Sequence, residues 1–296
     1  MRVLVTGAAG FVGSHLAEAC EARGDAVVGI DNFSTGRRDN WSGMIIEQDI
    51  ASHLPPIPAD LIFHCAASYR DRNDWERDAR TNVLGTINVV RLAQQTGAKL
   101  VYFQTSLCYG PRPVSPITLD APLDPHGSYA TSKTAAERYI MDSGVPYLSL
   151  RLANIYGPRN LSGPVPTFYM RLSQGQPCTV VDSRRDFVYV DDLVMVALAA
   201  ADRGTGVYHV ASGSDVSIRA IFDEVAMAMD EDDIADPITQ PRGADDVATI
   251  LLDPSRAESE FGWRVSTPLS VGIDRAVAWY REHGVAETWT HLSVKG

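Results

Sequence analysis

Tyr129 and Lys133 stand four positions apart in the run Tyr129-Ala130-Thr131-Ser132-Lys133. On a helix this spacing puts both side chains on one face, about 5–6 Å apart. A tyrosine hydroxyl has a reference pKa of about 10, so its phenolate is rare at neutral pH. A neighbouring ammonium favours the phenolate and makes the residue a usable proton shuttle. A second set of hydroxyls lies upstream in Thr105-Ser106-Leu107-Cys108-Tyr109-Gly110, directly after the strand-like run Lys99–Gln104. Side chains at the carboxyl ends of parallel strands face the ligand crevice. Thr105 or Ser106 could there hold a substrate's reacting oxygen beside Tyr129.

A third pattern opens the chain. Gly7-Ala8-Ala9-Gly10-Phe11-Val12-Gly13 separates the apolar run Val3-Leu4-Val5-Thr6 from an amphipathic stretch. A diphosphate needs backbone N–H groups at a helix N-terminus and no side chains in the way, and glycines meet both needs. The GxxGxxG spacing is one residue wider than the GxGxxG of most dinucleotide folds. Asp31 ends the next apolar run. A carboxylate there can accept hydrogen bonds from both adenosine ribose hydroxyls and repel a 2′-phosphate, which favours NAD over NADP. Arg37 and Arg38 follow closely and carry the opposite signal, since a basic residue can accommodate that phosphate.

These groups need a scaffold, and the pattern supplies one. Strands are predicted at Arg2–Thr6, Ala26–Asp31, Met44–Gln48, Leu61–His64, Lys99–Gln104 and Tyr147–Leu152, with helices at Phe11–Arg23, Trp75–Thr96 and Ser128–Asp142. Strands alternating with helices imply parallel βαβ units covered on both faces. Gly24, Gly97 and Gly144 follow helices, as C-terminal caps do. After Tyr156 the rhythm changes, with Pro158, Pro164 and Pro166 marking irregular chain and helices at Leu193–Ala201, Ile218–Met229 and Leu269–Glu282. The fold expected is α/β, a Rossmann-type doubly wound parallel sheet with a smaller α/β C-terminal lobe. Residues 1–155 would form the dinucleotide-binding domain, with a strand and helix returning to it from about 180–202. Residues 156–296 would form mainly the second lobe. The acidic stretch Asp230–Asp236 reads as a solvated loop.

Composition narrows the classes. The chain has 296 residues, 45% of them hydrophobic, and a net charge of −11. That charge disfavours nucleic acid and anionic membrane as partners. No apolar run is long enough to span a bilayer. Cys20, Cys65, Cys108 and Cys178 are scattered without a CxxC pair, so neither a metal site nor a redox dithiol is expected. The chain opens on a strand rather than a signal peptide. Together these point to a cytoplasmic protein with reduced thiols.

Taken in order, the motifs resemble those of the extended short-chain dehydrogenase/reductase family, in particular its NAD-dependent nucleotide-sugar epimerases and dehydratases, and the likeness covers nearly the whole chain. Gly7–His15 is similar to the phosphate loop, and Asp31-Asn32-Phe33-Ser34-Thr35-Gly36 to the adenosine-binding strand end. Asp49-Ile50 resembles the pair beside the adenine, and His64-Cys65-Ala66-Ala67 the loop flanking the cofactor. Thr81-Asn82-Val83-Leu84-Gly85-Thr86 matches a helix signature. The resemblance implies that Tyr129 is the acid/base, that Lys133 binds the nicotinamide ribose and lowers the Tyr129 pKa, and that Thr105 is the hydroxyl residue, with Ser106 as second candidate. Asn82 joins the implied cofactor set. Arg151-Leu152-Ala153-Asn154 resembles a segment whose Asn approaches the substrate diphosphate. Arg185–Asp192 resembles one that sends an arginine to a phosphate, and Arg242 with Asp245 a second phosphate arginine and a ribose carboxylate. The C-terminal lobe would then hold a nucleotide sugar, and the protein would be a homodimer formed through a helix bundle.

Which reaction follows depends on the residues after Thr105. The family's similar dehydratases place Asp-Glu there and its decarboxylases Ser-Glu, whereas this chain has Ser106-Leu107. Leucine cannot transfer a proton. The expectation is an epimerase, a 4-epimerase of a UDP-hexose or related UDP-sugar, acting through a transient keto-sugar. A nucleotide keto-sugar reductase is the alternative, and a non-catalytic NAD-binding regulator the third reading.

Overall fold

Alternation along the strand-like runs sorts side chains onto two faces. Val3 and Val5 are buried with Leu16, Ala17 and Cys20, while Leu4 between them packs with Ile30, Ile62 and Leu92 on the opposite side. Leu61 and Phe63 alternate with Ile62 in the same way, and Val101 and Phe103 with Leu100 and Tyr102. Strands apolar on both faces belong in the middle of a sheet with helices on each side.

The computed structural model describes residues 1–111, 115–230, 234–242 and 248–289. The chain runs through β1 (Arg2–Thr6), α1 (Phe11–Ala22), β2 (Ala26–Asp31), β3 (Ile45–Glu47), β4 (Leu61–His64), α2 (Trp75–Asp78), α3 (Thr86–Thr96), β5 (Lys99–Thr105), α4 (Ser128–Asp142) and β6 (Tyr147–Leu152). It continues through β7 (Asn154–Tyr156), α5 (Pro164–Ser173), β8 (Thr179–Val181), β9 (Arg184–Arg185), β10 (Phe187–Tyr189), α6 (Val190–Arg203), β11 (Gly206–Val210) and β12 (Val216–Ser217). The last elements are α7 (Ile218–Met229), β13 (Ile238–Gln240), β14 (Thr249–Ile250), α8 (Ser255–Phe261) and α9 (Leu269–His283).

Seven parallel strands form the main sheet in the order β11-β6-β5-β4-β1-β2-β3. Residues of α1 and α6 share one core with the sheet, and residues of α3 and α4 the other. This is the doubly wound Rossmann-type architecture. The strand order reverses at β1, which lies between β2 and β4. Ligands in such sheets bind in the crevice beyond the carboxyl ends of the strands at that switch point. The remaining short strands pair in small sheets outside it, β10 with β7, β9 with β12 and β14, and β8 with β13.

Three elements depart from the sequence reading. Of the strand and helix expected to return from about 180–202, the helix is α6, while the strand that joins the sheet is β11 at 206–210, after it. A parallel crossover needs its helix before its strand, so the path is β6, then α6, then β11. The expected single helix Trp75–Thr96 is interrupted by a π-helical turn over Ala79–Gly85. Asn82 in that turn is 1% exposed and bonds across to Ser68, and Gly85 passes so close to Ile50 that a Cβ would stand 2.6 Å from its Cδ1. Finally, Pro164 and Pro166 open a helix, α5, rather than irregular chain. Proline is tolerated in a first turn because the N–H it lacks has no intrahelical partner there.

Candidate active site

Gly7 leaves β1 with φ 71°, and a Cβ there would stand 2.7 Å from the backbone N of Ala66. At Gly13 a Cβ would stand 2.1 Å from the Gly7 carbonyl oxygen. The loop therefore folds tightly on itself and on the start of the Ala66-Ala67 segment. Gly10 is the N-cap of α1, and no side chain caps this end. The first-turn N–H groups of Phe11, Val12 and Gly13 consequently have no intrahelical partner, which suits a diphosphate.

Asp31 is 8% exposed at the end of β2. Its Oδ2 accepts from the Ala9 N–H at 2.9 Å and its Oδ1 from the Phe33 N–H at 2.7 Å. Burial pushes its carboxyl above the usual range, against the N–H groups of Phe33 and Ala9. Asn32 is exposed, with Oδ1 accepting from the Ser34 N–H. The two arginines that could admit a 2′-phosphate are already engaged. Arg37 makes a bidentate pair with Asp39, at 2.9 and 2.7 Å. Arg38 pairs with Glu47 while its guanidinium lies 3.8 Å from the Phe33 ring centroid. The groove fits NAD: an uncapped helix N-terminus for the diphosphate, and a buried carboxylate for the ribose.

Around it, Asp49 accepts from the Ala51 N–H at 2.9 Å and Ile50 is buried beneath Gly85. Asn82 makes three hydrogen bonds within the protein. Its Oδ1 accepts from the Ser68 N–H at 2.7 Å, and its Nδ2 donates to the Ser68 carbonyl and to Ser132 Oγ, both at 2.9 Å. It fixes the segment after Ala66 and Ala67 against α4. His64 is likewise committed, with Nδ1 2.7 Å from Thr6 Oγ1 and Nε2 2.8 Å from Thr86 Oγ1.

Tyr129 and Lys133 lie in the first two turns of α4. Lys133 is 3% exposed and makes no ion pair among the described residues; its Nζ sits 4.0 Å from the Tyr102 ring centroid. Burial lowers its pKa to about 7, with Cys65 and Glu137 opposing. The Tyr129 ring packs edge-on to Tyr69, centroids 6.2 Å apart. Burial pushes the Tyr129 phenol up, and Tyr69 and Asp78 add to it. Among protein groups, then, the lowering expected from Lys133 does not prevail. Thr105 ends β5, half-buried, and its Oγ1 accepts from the Leu107 N–H at 3.2 Å to start the turn Ser106–Tyr109. Ser106 is 7% exposed, so Thr105 is the more accessible hydroxyl.

The fold brings Asn154 and Arg185 together. Asn154 opens β7 and donates through both its backbone N–H and Nδ2 to the Asp186 carbonyl, each at 3.0 Å. Arg185 is 9% exposed, with Nη1 2.7 Å from the Arg184 carbonyl. Arg242 is exposed beyond β13. Asp245 lies outside the described residues. Asp192, at the end of the Arg185–Asp192 segment, is spent on the fold, accepting from Ser266 N–H and Oγ and from the Thr267 N–H. Tyr69 and Glu137 were not singled out from the sequence. Glu137 continues the 129–133 spacing by one more turn, which was a usable signal, whereas nothing local marks Tyr69.

Among the described residues no group of three or more His, Cys, Asp or Glu could hold a metal, the four cysteines are free, and no helix is long and apolar enough to cross a membrane. The arrangement suits oxidation and reduction of a carbinol held beside a dinucleotide. The chain matches the model of the NAD dependent epimerase/dehydratase family over residues 3–211, and it belongs to that family. NAD is accordingly its cofactor. It is similar to the Bordetella bronchiseptica enzyme WbmH, solved in complex with NAD+, with 45% identity and a TM-score of 0.93 over 96% of this chain and 99% of that one. A UDP-glucose 4-epimerase of Mycolicibacterium smegmatis is 31% identical over 95% of this chain and 99% of its own length. UDP-glucuronic acid decarboxylase 1 of Arabidopsis thaliana is 30% identical over 95% of this chain and 70% of its own length.

Proposed function

We propose that this chain is a UDP-sugar 4-epimerase, acting on a UDP-hexose or a related UDP-sugar through a transient keto-sugar. The observation that carries this reading is Leu107. Its N–H is held by Thr105 Oγ1, and its apolar side chain occupies the turn where a dehydratase or decarboxylase of this family would need a carboxylate. Tyr129 takes the hydroxyl proton and returns it. Thr105 holds the reacting oxygen. The Lys133 ammonium, when charged, steadies the phenolate. The glycine loop, Asp31 and Lys133 would hold NAD, which would supply the hydride acceptor. Asn154, Arg185 and Arg242 hold the nucleotide diphosphate, and Asp245 its ribose. The recognisable contacts thus sit at the nucleotide, and binding energy there can retain the substrate while the sugar ring turns over.

The test is NMR of UDP-glucose, UDP-galactose and UDP-N-acetylglucosamine deuterated at C4, equilibrated with enzyme without added NADH. An epimerase yields the epimer with its label retained and no net NADH. Label lost to solvent, or product formed only with stoichiometric NADH, would replace the epimerase with deprotonation chemistry or with the keto-sugar reductase.

The same reading makes the protein a cytoplasmic homodimer. The groove between α3 and α4 is lined by Ile87, Val90, Arg91 and Gln94 on one side and Tyr139 and Asp142 on the other. Leu84 is 43% and Tyr139 52% exposed. A second copy packing α3, the π-helical turn before it and α4 would bury these in a four-helix bundle, which sedimentation of the wild type against Leu84→Glu tests.

A further inference from the structure

Beneath the Thr105 turn runs a buried polar chain that the reaction above does not use. Arg151 on β6 is 5% exposed, Glu137 on α4 and His209 on β11 are each 1%, and Tyr109 is 0%. Arg151 Nε donates to Glu137 Oε1 at 3.1 Å and Nη2 to Oε2 at 2.8 Å, and Ser149 Oγ donates to Oε1 at 2.5 Å. Arg151 Nη1 donates to the Tyr109 hydroxyl at 2.7 Å, and that hydroxyl lies 2.6 Å from His209 Nε2. The far end sets the proton order. His209 Nδ1 faces the Asp253 backbone carbonyl at 3.0 Å, which can only accept, so the ring proton sits on Nδ1. Nε2 is then an acceptor, and Tyr109 donates to it while accepting from Arg151.

Such a chain is a poor source of net stability, because a buried ion pair seldom outperforms an apolar filling of the same volume. What a bidentate guanidinium–carboxylate pair does enforce is one relative placement of the elements that carry it. Here those elements bear the reacting groups. Glu137 lies one helical turn beyond Lys133 on α4. Arg151 lies on β6, ahead of Asn154. Tyr109 closes the turn that Thr105 opens and caps. His209 extends the chain to Asp253, beyond β14.

We infer that Tyr109 is a positioning residue for the reaction: by anchoring the Ser106–Tyr109 turn to the Arg151–Glu137 pair, it holds the Thr105 hydroxyl at a set distance from Tyr129. This rests on Thr105, Tyr129 and Lys133 being the reacting groups. A misplacement of about 1 Å can cost 10²-fold in rate, so a modest slackening of the turn should be visible in turnover.

Tyr109→Phe removes only the hydroxyl, and three readings separate a local effect from a general one. The first is turnover of the UDP-hexose epimerised in the labelling experiment. The second is affinity for UDP, by calorimetry. The third is alkylation of individual cysteines by iodoacetamide, read by mass spectrometry. Cys108 lies inside the turn, fully buried, its thiol pushed up to about 12 by burial, so in the wild type it should resist alkylation. Cys20 on α1 and Cys178 ahead of β8, also buried, report general loosening. The expected result is a fall in kcat of about 10-fold or more, UDP affinity unchanged, and faster alkylation of Cys108 alone. Unchanged kcat, or all three cysteines becoming reactive together, would overturn the positioning role. If Tyr109→Phe does not fold, His209→Leu removes the acceptor of the same hydroxyl, and the same readings apply. Tyr129→Phe keeps the two levels apart. Loss of turnover there with a normal Tyr109→Phe overturns only the positioning role, whereas full turnover in Tyr129→Phe removes the reacting groups and the inference with them.

Discussion

The carboxylate of Asp31 reaches back across the glycine loop to the backbone N–H of Ala9, 2.9 Å away. One group thus frames the glycine loop and, in the function proposed above, presents a buried carboxylate to the ribose of NAD. Asp31→Asn removes that charge and keeps one acceptor. NAD affinity should fall by roughly 10-fold, as for loss of one hydrogen bond to a charged group, and the preference over NADP should shrink. Calorimetry with both dinucleotides reads the two effects. A wild type that binds NADP more tightly would mean that Arg37 or Arg38 leaves its carboxylate partner to take the phosphate.

Arg185 tests the nucleotide end. Its guanidinium is nearly buried and held beside the Arg184 carbonyl, so it is pre-organised rather than recruited. Arg185→Ala should weaken UDP binding by about 1.5–3 kcal/mol with NAD binding unchanged. Undiminished affinity for UDP would take Arg185 out of the site.

Tyr129→Phe deletes one hydroxyl and keeps the ring that packs against Tyr69. Fold and bound NAD should survive, while turnover falls by at least about 10²-fold. Normal activity in this variant would route the proton through another group.

Local motifs were the legible part of this molecule. The glycine loop, Asp31 and the Tyr129–Lys133 pair each lie within one turn or one strand–helix joint, so their spacing survives in the linear chain. The Rossmann-type sheet was legible for the same reason, since each strand alternates its own two faces. What stayed hidden depends on partners far apart in sequence. Nothing near Asn82 tells that its side chain is consumed by Ser68 and Ser132. Nothing near Arg151 points to Tyr109 or, through it, His209. The π-helical turn and the place of β11 follow from tertiary packing, and Pro164 and Pro166 sit in the first turn of α5, where proline starts a helix rather than breaking one.

Two buried histidines should weaken the fold in acid. Burial lowers the pKa of His64 to about 3 and that of His209 to about 4, against about 6.5 in an unfolded chain. The unfolded state therefore binds more protons between these values, and stability rises with pH across that window. The contribution of both neutral rings is fully present above about pH 6.5 and is lost as pH falls toward 4 and 3. From pH 6.5 to 5 the two should remove about 3 kcal/mol. Urea unfolding at a series of pH values should show this slope, and His209→Gln should flatten it by about half. A wild-type slope that His209→Gln leaves untouched would assign the acid limit to carboxylates instead.

The widened turn between α2 and α3 carries a length constraint that ordinary helices lack. An α-helix turns about 100° per residue, so a chain one residue shorter anywhere between Ala79 and Gly85 could close into regular helix with its backbone ladder complete. It would then present the wrong side of everything upstream. Asp78, whose Oδ1 accepts from Ser68 Oγ at 2.7 Å, would rotate away from that hydroxyl, while Asn82 could no longer reach both Ser68 and Ser132. Substitution within this turn is therefore open to side chains that fit, but a single deletion is a change of phase.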